Sequence, residues 1–121
     1  MRIGELATKT GVSVRALRYY EEQELLGAVR SGGGQRHYAD TAVERVELIQ
    51  LLYAAGLSSR TVRDLLPCVD SGVSTPQSRA VLAGERDRID RQIAELTRAR
   101  EKLDTIIAAT SAPNPACPYV N

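Results

Sequence analysis

The feature that most constrains this chain is an apolar stripe toward its C-terminal end. Leu82, Arg86, Ile89, Ile93, Leu96, Arg100, Leu103 and Ile107 follow one another in alternating steps of four and three. That spacing returns each side chain to one face of a helix and makes a heptad seam. Six of the eight are aliphatic, and the two arginines can lay their stems along the seam with their heads in water. Thr75-Pro76 suits a helix start, with Thr as N-cap and Pro in the first turn, and no further proline occurs up to Ala109. A helix over 75–109 would be roughly 50 Å long at 1.5 Å per residue. It could not fold back on the small domain before it and bury its stripe, and a bare Leu/Ile stripe would aggregate. The seam therefore predicts pairing with the same helix of a second chain. Leu82, Ile89, Ile93, Leu96, Leu103 and Ile107 would form that dimer interface.

The rest of the chain also wants a partner. It has 121 residues, no Trp and no Phe, so its core should be aliphatic and thin. Such a short chain is marginal alone. Its net charge is only +1, too little to announce a polyanionic partner. The distribution is more telling. Arg2, Lys9, Arg15, Arg18, Arg30 and Arg36 crowd into residues 1–20 and 30–38, where Glu5 is the one acid. That is a basic patch.

The first of these segments has helical texture. Ile3, Leu6 and Ala7 recur at helical spacing, so a short helix is expected over about 3–9. Thr10-Gly11 breaks it, and Ser13 stands where the N-cap of a second helix belongs. In that second helix Arg15, Arg18 and Tyr19 share one face, while Val14 and Leu17 suit a core. Helix, glycine turn, helix is the helix-turn-helix pattern. Many small helical domains contain such a corner without touching DNA.

The second basic segment runs through Arg30-Ser-Gly-Gly-Gly34-Gln-Arg36-His-Tyr38. Three glycines between two short arms read as a hairpin tip, and an arginine lies on each arm. A cationic hairpin over about 28–38, beside a helix-turn-helix, is a wing suited to gripping a phosphate backbone. The alternative is a flexible glycine linker; Tyr38 and the flanking arginines favour the wing. Thr41-Ala-Val-Glu44 then has the form of a capping box. It would open a third helix with Val43, Val46, Ile49, Leu52 and Tyr53 on its apolar face, ended by Gly56. A fourth starts at Ser58, turns Val62, Leu65 and Leu66 inward and stops at Pro67. Thus 41–66 would be a second helix pair and 67–74 a hinge. The tail, 110–121, is proline-rich and irregular, a possible effector loop.

These motifs in combination resemble the MerR family of bacterial transcription regulators. The resemblance rests on Arg2-Ile-Gly-Glu-Leu-Ala7, Thr10-Gly-Val-Ser13, Arg18-Tyr-Tyr-Glu21, Leu25-Leu26 and Gln35-Arg36-His-Tyr38. The order of the parts matches as well, over essentially the whole chain. The fold it implies is mostly α: a winged helix-turn-helix DNA-binding domain over 1–74, then a long C-terminal helix forming an antiparallel coiled-coil dimer. Such a homodimer places two recognition helices in major grooves of promoter DNA, between promoter elements set too far apart. The effector-bound dimer distorts that DNA so that RNA polymerase engages both elements. Carried onto this chain, the resemblance and the helix face together give Ser13, Arg15, Arg18, Tyr19 and Tyr20 as recognition-helix residues. Arg30, Arg36, His37 and Tyr38 would grip backbone from the wing. Either Arg15 or Arg18 could read a base, with guanine favoured. Arg60 and Arg63 could add phosphate contacts or could simply form a solvated face.

The effector is less legible. In the metal-sensing branch of the family two cysteines flank a short loop after the long helix. Cys117-Pro118 matches the second, but residues 109–111 are Ala, Thr and Ser where the first belongs. No cofactor is therefore assigned, although a soft metal shared across the dimer is conceivable. A thiol sensor using Cys117 or Cys68, a small ligand at the dimer interface, or a lost response are the other options. A lone histidine, His37, makes no metal site. No signal peptide or apolar run of the ~18 residues a membrane span needs is visible, so a cytoplasmic protein with reduced thiols and no membrane partner is expected. From another functional class, a coiled-coil protein-interaction module is the competitor, and the clustered arginines argue against it. An enzyme is not expected, because no nucleophile–base pair or phosphate-cradling loop is present.

Overall fold

The computed structural model describes residues 1–30 and 34–110, with Arg30 described through its backbone alone. Over these residues the elements are α1 (Ile3–Thr10), α2 (Val14–Glu22), β1 (Val29–Arg30), β2 (Arg36–His37), α3 (Ala42–Ala54), α4 (Ser59–Ser71) and α5 (Pro76–Ala109). The chain falls into two units, Met1–Leu82 and a second beginning at Ala83. The division thus lies inside α5, where the sequence reading put it at residue 74.

In the first unit α1 packs on α2 and α3, and α3 packs on α4. The α1–α2 corner depends on Gly11, whose φ of 73° closes α1 by donating its N–H to the Ala7 carbonyl at 2.9 Å. Few side chains tolerate that left-handed backbone. At the far end of α2 the same conformation falls on Glu24, with φ 62°, the one non-glycine residue so placed among those described. It costs on the order of 1–2 kcal/mol. The return is that Leu25 and Leu26 turn into the core, at 3% and 5% exposure. Burying each is worth roughly 1.5–3 kcal/mol, so the turn holds.

Leu6, Leu17, Val46, Ile49 and Val62 fill the centre of the core. It is aliphatic there, as composition predicts, but two tyrosines, Tyr20 and Tyr38, complete it. The hairpin is antiparallel, with Val29 opposite His37 and Arg30 opposite Arg36. Its tip, 31–33, lies outside the described residues. Tyr38 ties its base to the chain start: its N–H donates to the Met1 carbonyl at 2.7 Å, and the Met1 nitrogen donates back at 2.9 Å.

Two local expectations are corrected. Thr41 caps nothing: it is already helical, with φ −64° and ψ −14°, and its side chain makes no cap bond. Of the donors such a cap could satisfy, the Val43 N–H goes to the Asp40 carbonyl at 3.3 Å, and just before it the Ala42 N–H goes to the Ala39 carbonyl at 2.9 Å. Nor does Pro67 stop α4, which continues to Ser71 and closes on Gly72. A proline inside a helix removes one bond and crowds the preceding turn, at about 3 kcal/mol. Here Val62, Leu65 and Leu66 hold that turn in the core, and packing overrides propensity. The connector before α5 is accordingly 72–75, not 67–74, and Cys68 sits half-buried inside α4.

Thr75 does cap α5. Its Oγ1 accepts from Ser78 N–H at 3.1 Å, and Ser78 Oγ accepts from Thr75 N–H at 3.1 Å, a reciprocal cap with serine in the usual place of Glu. No residue of α5 is buried. Along the seam Leu82, Ile93, Leu96, Leu103 and Ile107 are exposed, and Ile89 is half-buried. Cys117 and the rest of 111–121 lie outside the described residues.

The Pro67 result is testable. Pro67→Ala should raise the free energy of unfolding by about 1–3 kcal/mol in urea melts, because it restores a helical donor. An unchanged or lower midpoint would mean that the proline is required where it stands.

Candidate nucleic-acid interface

Ser13 starts the recognition helix by chemistry local to the sequence. Its Oγ accepts the Ala16 N–H at 3.0 Å, so this hydroxyl serves as the N-cap of α2. From there the nine residues Val14–Glu22 divide by face. Leu17 is fully buried and Tyr20 is 8% exposed, whereas Arg15, Arg18 and Tyr19 are exposed. Among the described residues neither Arg15 nor Arg18 forms an ion pair. Two uncompensated guanidinium groups one turn apart, on a helix anchored from behind, form a concentrated positive surface.

The tyrosines separate into different roles. Tyr20 points inward and stacks on Tyr53 of α3, ring centroids 5.8 Å apart. Burial, and then the neighbouring Tyr53, push its phenol above the usual tyrosine range, so it stays neutral. Tyr38 is 2% exposed, and its hydroxyl has no partner among the described residues. Tyr20 and Tyr38, assigned from the sequence to the DNA surface, are therefore core residues. Bulky rings close a core otherwise built from aliphatic side chains, and Tyr20, three residues on from Leu17, shares its inward face. Tyr19 stays outside and places its hydroxyl 3.3 Å from Ser59 Oγ. Ser59 Oγ also bonds the Tyr53 hydroxyl.

This contact brings the start of α4 to the recognition helix. Ser58 caps α4, accepting from Thr61 N–H at 3.1 Å. Arg60, exposed, directly follows Ser59 in the first turn of α4. Arg63, grouped with it in the sequence, borders a different groove: Arg60 lines one of about 360 Å³ with Thr75, Ser78 and Val81, and Arg63 one of about 600 Å³ with Glu21, Glu24 and Asp70. Both grooves carry acid, since Asp64 also lines the first.

On the hairpin, Arg36 is exposed and bonds Glu21 of α2, a carboxylate only 13% exposed. Arg2 bonds Gln35. His37 is half-buried across from Val29. Arg30 stands opposite Arg36 in the register. Glu21, Tyr53 and Ser59 were not singled out for this surface from sequence. Glu21 lies within Arg18-Tyr-Tyr-Glu21, so its position was visible, but its pairing with a residue fifteen positions away was not. Among the described residues no group of three or more His, Cys, Asp and Glu could hold a metal ion.

Comparison with known proteins agrees with this geometry. A family model described as MerR HTH family regulatory protein matches residues 1–67, and one described as MerR, DNA binding matches residues 43–106. The chain is 32% identical to the HTH-type transcriptional regulator HmrR of Rhizobium leguminosarum bv. viciae, over 99% of this chain and 95% of that protein. It is 32% identical to the HTH-type transcriptional regulator ZntR of Escherichia coli strain K12, over 87% of this chain and 77% of that one. Among solved structures, HiNmlR, a MerR family regulator lacking the sensor domain and bound to promoter DNA, superposes with TM-score 0.74 at 27% identity, covering 88% of this chain and 86% of its own. A putative MerR family transcriptional regulator from Listeria monocytogenes gives TM-score 0.77 at 28% identity, covering 88% and 83%. The chain belongs to the MerR family of helix-turn-helix proteins, which are DNA-binding transcription regulators and not enzymes.

Proposed function

We propose that this regulator works as a homodimer on double-stranded promoter DNA, in the cytoplasm, placing α2 of each subunit in a major groove. The observation that carries this reading is a pair of cations, Arg15 and Arg18, without an ion pair among the described residues, on the exposed face of a helix whose opposite face is buried. Arg60 at the start of α4, and Arg30 and Arg36 on the wing, would flank the groove and hold phosphates. HiNmlR, similar over most of its length, is bound to promoter DNA, which supports the same use here.

Dimerisation supplies what α5 lacks. Leu96 and Ile107 are 70% and 66% exposed in the single chain, and a stripe of such residues finds cover in an antiparallel coiled coil. Two half-sites read by one dimer would then be spaced by the coil. A dimer that holds two recognition helices at a fixed separation can bend or untwist the DNA between them at a deformation cost of a few kcal/mol. In this reading the distortion realigns promoter elements for RNA polymerase, so the regulator acts as an activator. Among the described residues no helix is long and apolar enough to cross a membrane.

Four measurements test this. Binding to a duplex selected by the wild-type protein from a randomised pool should fall steeply with salt, and a flat response would refute the DNA reading. Arg18→Ala should weaken that binding about tenfold or more without lowering the melting temperature; unchanged affinity removes Arg18 from the interface. Glu21→Gln should release Arg36, tighten binding and steepen the salt slope by about one unit. If the slope stays put, Arg36 is not a backbone contact. Leu96→Glu should give a monomer by light scattering, and a dimer that persists would refute the seam.

A further inference from the structure

Ser59 is a side chain through which α2, α3 and α4 are hydrogen-bonded to one another. Its Oγ lies 3.3 Å from the Tyr19 hydroxyl of α2, forty residues away in sequence, and bonds the Tyr53 hydroxyl at the end of α3. Ser59 itself is the first residue of α4. It is not the cap: Ser58 holds that role and spends its hydroxyl on Thr61. The Ser59 hydroxyl is thus free of local duty and is used wholly across elements. A serine hydroxyl has one proton and two lone pairs, enough to serve both phenols at once.

The rings fix the geometry further. Tyr53 stacks on the buried Tyr20 with 26° between planes, so its hydroxyl is delivered from a rigid platform. Tyr20 and Tyr19 are adjacent and their rings are 6.5 Å apart. The path Tyr20, Tyr53, Ser59, Tyr19 closes on itself: it leaves α2 from its buried face and returns to α2 on its exposed face. A closed loop of contacts resists rotation of α4's first turn about α2, where a single contact would not. Arg60 follows Ser59 directly in that first turn, so its backbone is carried by this loop.

We propose that Ser59 is a positioning residue that locks the first turn of α4 to the recognition helix, so that Arg60 meets the DNA backbone in fixed register with Arg15 and Arg18. The inference rests on the DNA-binding reading above and adds to it a residue that touches no DNA. It makes Ser59 act through Arg60, and this coupling separates positioning from simple stabilisation.

The test is a double-mutant cycle on the same selected duplex, with the full chain. Ser59→Ala is expected to weaken binding about fivefold, the size of one hydrogen bond, and to flatten the salt slope by about one unit, the loss of one phosphate contact. Arg60→Ala alone is expected to do the same. In the Arg60→Ala background, Ser59→Ala should change nothing further. Ser59→Thr, which keeps the hydroxyl, should restore wild-type affinity and slope. Tyr19→Phe and Tyr53→Phe remove each phenol without losing a ring, and both should reproduce the Ser59→Ala phenotype at unchanged melting temperature. With no tryptophan in the chain, tyrosine fluorescence reports directly on whether these phenols have lost their partner. Wild-type affinity and slope in Ser59→Ala, or a full Ser59→Ala penalty in the absence of Arg60, would overturn the proposal. A wild-type protein that binds without salt dependence would instead overturn the DNA reading itself, while an Arg18→Ala loss with no Ser59 effect would overturn the positioning role alone.

Discussion

The exposed cationic face of α2 depends on the burial of two side chains, Leu17 and Tyr20. A helix of nine residues is marginal in water, because nucleating it costs more than its few hydrogen bonds return. α2 exists because Leu17 is fully buried and Tyr20 nearly so. Burial of these two contributes roughly 3–6 kcal/mol, which offsets the helix's own deficit. It also fixes the helix's rotation, since the faces of a helix are rigidly related. Once Leu17 and Tyr20 point in, Arg15, Arg18 and Tyr19 must point out. The functional surface is the geometric complement of the core contact.

The charges follow a similar economy. Arg15 and Arg18 have no acidic partner among the described residues, so nothing must be broken before they meet a phosphate or a base. Arg36 differs. Its pairing with Glu21 orients the hairpin against α2 and reduces the net charge presented there. A shielded wing beside an unshielded helix distributes the electrostatic work unevenly. Under the proposed DNA reading, contacts that can read sequence are left free, and a contact that only positions is held in check. The salt dependence of binding is where that division would be felt.

Much of this was legible in the residues. Glycine at 11 and serine at 13 mark the corner because only local chemistry decides a left-handed turn and an N-cap, and both are used as the sequence suggests. The apolar periods of α3 and α4 place Val46, Ile49, Val62, Leu65 and Leu66 correctly inside. The failures have a common cause. Thr41 has the residues of a capping box, yet backbone carbonyls of the preceding turn had already taken its donors. Pro67 has the chemistry of a stop, yet buried leucines on the turn before it outweighed its cost. Tyr20 and Tyr38 have the chemistry of DNA contacts, yet the core had vacancies of aromatic size. In each case a local preference worth a few kcal/mol at most met a stronger competitor, local backbone carbonyls at Thr41 and tertiary packing at the other three.

What the sequence determined by itself was the inventory and its periodicity: a corner, a cationic hairpin, a helix pair and a long helix with a seam. Those depend on interactions within a few residues, or on the repeat of a single helix face, and need no knowledge of distant neighbours. What only the tertiary structure decided was which polar atoms meet across long separations. Glu21 and Arg36 are fifteen residues apart, and Tyr19 and Ser59 forty. No period or propensity encodes those encounters. They arise because the core brings α2, α3, α4 and the hairpin together, and hydrogen bonds then form between whichever groups that packing leaves side by side.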